Sequence, residues 1–277
     1  MKKKFMVIGS PVKHSLSPAI HQAFAHEFDL EIQYTKHDPG VDGFAAAIQA
    51  FHQQGGMGAS VTLPFKQQAA ELAVHCTPAV EQAGAANTLW WNNQDELCAD
   101  NTDGAGLVWD LQQRLSVPLK DARILLLGAG GAAAGVLPSL LAEGPAMIYV
   151  ANRSLDNAKQ LVARQQEIYQ SRLQVVPFNY EYDQPLDLVL HATALGHQGK
   201  SPGLSLSIAG PLTFCYDLSY GFAAQSFLGW AADNRALYRA DGIGMLVAQA
   251  ALQFERWLNY RPNVRKTLFK IGPILGS

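Results

Sequence analysis

Cysteine is scarce, charge is almost balanced, and no long apolar run is present; each scarcity closes off a class of protein. The three cysteines, Cys76, Cys98 and Cys215, lie far apart and in no CxxC or Cys/His ligand spacing. Neither a disulfide framework nor a zinc site is expected, and three reduced thiols suit a cytoplasmic protein. The eight histidines are equally dispersed. His21 and His26 are five apart, not the four that stacks two ligands on one helical face, so no metal site is expected. The 277 residues carry a formal net charge of −2, and no block of like charge extends beyond Lys2-Lys3-Lys4. That argues against a partner of nucleic acid or an anionic membrane. No stretch approaches the roughly 18 apolar residues of a membrane span. Phe5-Met6-Val7-Ile8 follows the lysines but stops at Gly9, which is too short for a signal-peptide core and reads as a buried strand. No internal repeat or low-complexity linker appears.

What is there suits a folded globular chain: 48% hydrophobic and 16% charged residues, at a length sufficient for one large domain or two ordinary ones. Lys4 to Ile8, Ile32 to Thr35 and Ala59 to Leu63 read as strands. Helices are expected after Ser17-Pro18, from Gly43 to Gln53, and from Pro64 to Val74. Ser17 suits an N-cap and Pro18 the first helical position, and Ile20, Ala23, Phe24 and Phe28 form an apolar helical face. This β-α alternation predicts a mostly parallel sheet covered by helices. Thr88 to Trp91 and Glu96 to Ala99 read as a hairpin around Asn92-Asn93-Gln94-Asp95. Gly104 to Leu115 reads as a connecting helix into a second α/β unit. Its strands are expected at Ala122–Leu127, Met147–Ala151, Gln174–Pro177, Leu186–His191 and Thr213–Asp217, with a helix from Asp156 to Tyr169. A long helix, Gly242 to Leu258, and a polar tail end the chain.

Two places carry chemistry. The first is Gly128-Ala129-Gly130-Gly131-Ala132-Ala133, between an apolar strand and an Ala/Leu-rich helix. Gly128 suits a tight turn, Gly130 a close approach of backbone to pyrophosphate, and Ala133 the position where a small residue lets helix and strand pack. The amides of the first helical turn then face the phosphates. The bland alternative is a ligand-free glycine turn. The next strand ends in Asn152-Arg153-Ser154, with no carboxylate for a ribose 2′-hydroxyl; an arginine there pairs with a 2′-phosphate, which favours NADP over NAD.

The second is Val61-Thr62-Leu63-Pro64-Phe65-Lys66. It puts Thr62 at the C-terminal end of a strand, where open α/β sheets bind ligands, and Lys66 in the first turn of a helix. A helix N-terminus disfavours a cation, which makes the amine a better proton acceptor. A solvated lysine covering the helix end fits local physics equally well. Asp100-Asn101-Thr102-Asp103-Gly104 is densely polar beside the expected domain boundary, where small-molecule clefts are common. Locally, Asp103 reads first as a helix N-cap and Asn87 as a turn residue.

Eight short motifs in order make the chain resemble the shikimate dehydrogenase family over nearly its whole length. They are Ser15-Leu16-Ser17-Pro18, Val61 to Lys66, Gly84-Ala85-Ala86-Asn87-Thr88, Asp100 to Gly104, Gly128 to Ala132, Asn152-Arg153-Ser154, Tyr216-Asp217-Leu218-Ser219-Tyr220 and Ala240-Asp241-Gly242-Ile243-Gly244-Met245. The resemblance implies two α/β domains: a substrate domain from residues 1–103 plus 242–277, and a Rossmann-like NADP domain from 104–241. It implies a reversible, NADPH-dependent reduction of 3-dehydroshikimate to shikimate by a monomer or homodimer. Ser15 and Ser17 would bind the substrate carboxylate; Thr62, Asn87, Asp103, Tyr220 and Gln249 would hold ring hydroxyls; Lys66 and Asp103 would be the proton-transfer pair. Gly128, Ala129, Gly130, Gly131, Ala132, Asn152, Arg153 and Ser154 would hold the nucleotide, with Leu218, Gly242 and Met245 near the nicotinamide. Met245 also reads as core, and it shares a helical face with Gln249.

Three positions depart from the family pattern. Ser60 stands where Asn is usual, His191 stands for Asn in an Asn-Ala-Thr triplet, and Asn157 stands for a second basic residue, with Lys159 close enough to help. Among rivals, a quinate-oxidising relative is disfavoured by Ser17 and Arg153. A methylenetetrahydrofolate-type dehydrogenase does not explain the serine pair. A silent NADP-binding regulator would have lost Lys66 and Asp103.

Overall fold

A computed structural model describes residues 2–184, 186–198 and 208–275. The chain forms two compact units, one from residues 1–106 and 246–277, the other from 107–245. Along the first unit run β1 (Lys3–Ile8), α1 (Ser17–Glu27), β2 (Ile32–His37), α2 (Phe44–Gln53), β3 (Gly56–Val61), α3 (Lys66–Leu72), β4 (His75–Cys76), α4 (Pro78–Ala83), β5 (Thr88–Trp91) and β6 (Leu97–Asp100). Helix α5 (Asp103–Trp109) crosses into the second unit and runs into a π-helical turn, Asp110–Arg114. There follow β7 (Arg123–Leu127), α6 (Gly131–Ala142), β8 (Met147–Ala151), α7 (Leu155–Ala163), β9 (Leu173–Val176), β10 (Leu188–His191), β11 (Phe214–Asp217), α8 (Gln225–Asp233) and β12 (Tyr238–Ala240). Helix α9 (Ile243–Leu258) returns to the first unit, which α10 (Val264–Leu275) completes.

The first unit's sheet has the order β2-β1-β3-β5-β6-β4. It is parallel across β2-β1-β3 and across β6-β4, and antiparallel around the β5-β6 hairpin. Met6, Ile8, Ala59, Val61, Leu89 and Ala99 supply its buried face against Phe44, Ile48 and Phe65. Thr62 and Lys66 follow β3 at its C-terminal edge.

The second sheet is wholly parallel, in the order β12-β11-β10-β7-β8-β9. Two runs of strands wind outward from β7, so the strand order reverses between β7 and β10. In such sheets ligands bind at that reversal, beyond the carboxyl ends of the strands. Strands β7, β8 and β10 are near-continuous apolar runs because helices cover both faces; Leu126, Val150 and Leu190 join one core cluster, and Leu127, Ala151 and Val189 the other.

Several boundaries differ from the sequence reading. Ser17 is the first residue of α1 and not its cap: its amide is already taken by the Ser15 hydroxyl at 3.2 Å, and Leu16 holds the cap position. Helix α3 begins at Lys66, after a turn through Leu63-Pro64-Phe65. The expected helix over 156–169 stops at Ala163, and a 3-10 turn, Glu167–Arg172, replaces its second half. The tail after Leu258 is the helix α10, capped by Asn263, whose carbonyl accepts from the Lys266 amide at 3.0 Å through its side chain. The stripe Val264, Thr267, Leu268 and Ile271 was a readable signal for it; Thr267 and Ile271 are buried and the helix packs on α1.

Candidate active site

The first unit gathers a polar cluster at the edge of its sheet. Lys66 Nζ donates to Asp103 Oδ2 at 2.5 Å, with both side chains largely buried. The other carboxylate oxygen of Asp103 accepts from Asn87 Nδ2 at 2.8 Å. Asn87 Nδ2 also lies 2.9 Å from Thr102 Oγ1 and 3.1 Å from Gln249 Oε1, while its Oδ1 accepts from the Thr88 hydroxyl at 2.7 Å and the Thr102 amide at 3.0 Å. Asp103 is the first residue of α5, so its carboxylate could have capped the helix. It turns instead to Lys66 and Asn87, and its amide donates to Asn101 Oδ1 at 3.0 Å. A buried asparagine with every polar atom engaged fixes the carboxylate, and the carboxylate fixes the amine.

A second relay of hydrogen bonds runs from this cluster to Tyr34, and the serine pair forms its own. Ser15 Oγ donates to Ser17 Oγ at 3.1 Å. The Tyr34 hydroxyl lies 2.6 Å from Ser60 Oγ; burial pushes that phenol well up from its ordinary value, with Ser60 and Ser17 opposing. Ser60 donates to Gln253 Oε1 at 2.6 Å, and Gln253 Nε2 donates to the carbonyl of Asn87 at 2.9 Å. Ser60 has one proton, and it goes to Gln253, so Tyr34 must donate to Ser60.

The structure thus brings Lys66, Asp103, Asn87 and Gln249 into one network, with Ser15 and Ser17 bonded to each other. Thr62 is half-buried just past β3, its amide bonded to the carbonyl of Ile8 at 3.0 Å. Thr102, Tyr34, Ser60 and Gln253 were not singled out as members. The spacing of Gln249 and Gln253, four apart on one face of α9, was the signal available for the last.

The second unit holds the glycine loop. Gly128 has φ of +118°, and a Cβ there would lie 2.9 Å from the carbonyl oxygen of Ala192; only glycine fits this turn. At Gly130 a Cβ would meet no protein atom within 4 Å, and the residue is exposed. The protein's own packing therefore does not demand glycine at that position, whereas a phosphate group against the loop would. Gly131 and Ala132 open α6, and Ala133 is fully buried against the sheet. Asn152, Arg153 and Ser154 follow β8. Asn152 Nδ2 donates to the carbonyl of Ser154 at 2.9 Å, and Ser154 caps α7 by accepting from the Asn157 amide at 3.4 Å. Arg153 is exposed and forms no salt bridge among the described residues; Lys159 pairs loosely with Asp156 at 3.6 Å on the surface.

Leu218, Gly242, Met245 and Tyr220 also belong to this unit. The Gly242 amide donates to the carbonyl of Ser219 at 2.8 Å, and the carbonyl of Leu218 presses so closely on Gly242 that no Cβ fits. Met245 is buried in the core cluster that also holds Tyr216 and Leu107. Tyr220 is half-buried. Among the described residues no group of three or more His, Cys, Asp or Glu could hold a metal ion, and no helix is long and apolar enough to cross a membrane.

Family sequence models match three stretches: the shikimate dehydrogenase substrate binding domain over residues 7–89, shikimate / quinate 5-dehydrogenase over 110–197, and the shikimate 5′-dehydrogenase C-terminal domain over 242–267. A shikimate dehydrogenase (NADP(+)) of Alcanivorax borkumensis is 42% identical over 259 residues, 94% of this chain and 92% of that protein. Among solved structures, an Ael1 enzyme from Pseudomonas putida superposes with a TM-score of 0.88 at 35% identity, covering 97% of this chain and 98% of that one. A shikimate 5-dehydrogenase from Thermus thermophilus, crystallised with NADP(H) and shikimate, superposes with a TM-score of 0.84 at 27% identity, covering 99% of this chain and all of that one. With motifs, sheet order and relatives in agreement, the chain belongs to the shikimate dehydrogenase family.

Proposed function

We propose that this protein is an NADP-dependent shikimate dehydrogenase, interconverting 3-dehydroshikimate and shikimate in aromatic amino acid biosynthesis. The observation that carries the reading is the Lys66–Asp103 pair at 2.5 Å, fixed by Asn87. NADP(H), when bound, supplies the hydride to the ring carbonyl carbon or accepts it in return. The rest is work for the chain's own residues. As hydride reaches the carbon, charge builds on the ketone oxygen, and Lys66 gives that oxygen a proton. Asp103 holds the amine in line through a charge-assisted hydrogen bond. In the other direction Lys66 takes the hydroxyl proton. Asn87, Gln249 and Thr62 hold ring hydroxyls. Ser15 and Ser17 donate to the ring carboxylate.

The residues fit the cofactor. Gly128 and Gly130 leave the backbone room for a pyrophosphate, with Ala129, Gly131 and Ala132 supplying amides at the start of α6. Arg153 answers a 2′-phosphate, with Asn152 and Ser154 beside it, and Leu218, Gly242 and Met245 form the nicotinamide side. On this reading the enzyme is cytoplasmic and acts on small molecules, as a monomer or homodimer without a nucleic-acid or membrane partner.

The test is a spectrophotometric assay of nicotinamide reduction with shikimate and with quinate, each offered with NADP and with NAD. Strong reduction with shikimate and NADP alone supports the proposal. Comparable rates with quinate or NAD move the protein to broader-specificity relatives, and no reduction in any of the four favours a regulator.

A further inference from the structure

His191 takes no part in the mechanism above, yet it is fully buried at the C-terminal end of β10, beside the glycine loop. Its ring stacks on Phe227 with centroids 4.8 Å apart. Nδ1 lies 2.8 Å from Asp217 Oδ2, and Nε2 lies 2.6 Å from Thr193 Oγ1. A carboxylate only accepts, so Nδ1 carries a proton and donates to Asp217. The other oxygen of Asp217 accepts from the Ser219 amide at 2.8 Å. With Nδ1 protonated, Nε2 accepts a hydrogen bond from the Thr193 hydroxyl, and Thr193 Oγ1 in turn accepts from the Leu195 amide at 3.3 Å.

One imidazole therefore ties the turn after β10 to the turn after β11. Both turns press on the segments proposed to hold the cofactor. A Cβ at Gly128 would lie 2.9 Å from the Ala192 carbonyl oxygen and 3.3 Å from the Thr193 methyl. Ser219 accepts from the Gly242 amide, and Leu218 packs directly on Gly242. The strand order places β8, with Arg153 behind it, on one side of β7, and places β10 and β11 on the other. If the phosphate-bearing adenosine half lies with Arg153, the nicotinamide half lies over the turns that His191 joins. Asparagine, the usual residue in the related motif, ends in one short amide and cannot bridge both partners across a ring.

We infer that His191 is a positioning residue for the nicotinamide half of NADP(H), acting through Thr193 and Asp217; the inference rests on the cofactor reading above. Two variants test it. His191→Phe keeps a flat ring against Phe227 and removes both hydrogen bonds. Thr193→Val removes one hydroxyl at a half-buried position and carries the test alone should the first variant fail to fold. Two probes are titrated: NADPH, followed by its nicotinamide fluorescence, and 2′-phosphoadenosine diphosphate ribose, which lacks the nicotinamide. Loss of a buried hydrogen bond predicts NADPH binding weaker by about tenfold, with the truncated probe held within about twofold. Equal weakening of both probes would mean a general packing role and would overturn the inference, as would unchanged NADPH binding in a folded Thr193→Val protein. Failure of the unaltered protein to bind NADPH would overturn the cofactor reading itself, and the inference with it.

Discussion

Acid should destabilise the first unit through one buried ring. His21 lies on α1, fully buried, stacked on Tyr34 at 4.4 Å and flanked by Phe24, Phe254 and Trp257. Neither ring nitrogen has a partner of ordinary hydrogen-bond geometry. The Gln253 side chain, which opposes the shift, is committed at both ends to Ser60 and to the carbonyl of Asn87. Burial lowers the imidazole from 6.5 to about 3, with Gln253 opposing only in part. Because the folded value lies below the unfolded one, the unfolded chain binds the extra proton between them. The contribution to stability is present above 6.5 and is lost as pH falls toward 3. Each unit of pH in that window removes about 1.4 kcal/mol, so moving from about pH 7 to about pH 5 removes about 2 kcal/mol through this residue. Urea unfolding followed by tryptophan fluorescence, run at both pH values on the wild type and on His21→Phe, isolates the effect. Phenylalanine keeps the stacking and cannot be charged. The exposed pairs His52–Asp95 and His75–Glu96 are present in both proteins and cancel in the difference. The wild type should lose about 2 kcal/mol more than the variant. Parallel losses within about 0.5 kcal/mol, too small for a titrating buried ring, would show that His21 is not held neutral in the folded state.

Three other substitutions have defined outcomes. Lys66→Ala should lower kcat by roughly 10²–10⁴-fold while KM for shikimate rises far less, since proton transfer and not binding is removed; steady-state kinetics with equal losses in both would make the lysine a binding group. Arg153→Leu should weaken NADP binding by about 10–100-fold, the worth of charge-assisted bonds to a 2′-phosphate, and leave NAD binding unchanged; parallel titrations with the two cofactors read the ratio. Gly244→Ala should destabilise the second unit by about 1–3 kcal/mol, because the added Cβ overlaps the buried carboxylate of Asp110, which Arg114 and the Tyr216 hydroxyl at 2.7 Å hold in place; thermal melts compare it with wild type.

Five strands of each sheet were legible because apolar runs bounded by glycine, proline and polar turns announce them, whereas the short edge strands β4 and β12 have no such run and were not read. The glycine loop was legible because its meaning depends on a strand before it and a helix after it, and both are local patterns. What escaped was set by contacts distant in sequence. Helix α10 was read as a polar tail; among the described residues Thr267 and Ile271 are its buried stripe, and its partner α1 lies more than two hundred residues earlier. The π-turn at Asp110–Arg114 carries Asp110, whose carboxylate accepts from the Tyr216 hydroxyl 106 residues away, a contact no local propensity reveals. Asp103 read locally as a cap because helix starts favour aspartate; the cation that diverts it, Lys66, is 37 residues away.

Two of the three departures from the family pattern, Ser60 and His191, follow the same logic, and they are not isolated. Ser60 is too short to reach far, and the space is bridged by the Tyr34 hydroxyl on one side and Gln253 on the other, each at 2.6 Å. His191 is longer than asparagine, and its two ends meet Asp217 and Thr193. In each case a buried polar side chain keeps its hydrogen bonds because its neighbours supply complementary donors and acceptors, as a low-dielectric interior requires. Reverting one position alone therefore removes a partner without restoring another. Ser60→Asn crowds Tyr34 and Gln253, and His191→Asn leaves either Asp217 or Thr193 short of a bond. The residues that compensate, rather than the departing residues themselves, are what make these two substitutions compatible with the fold.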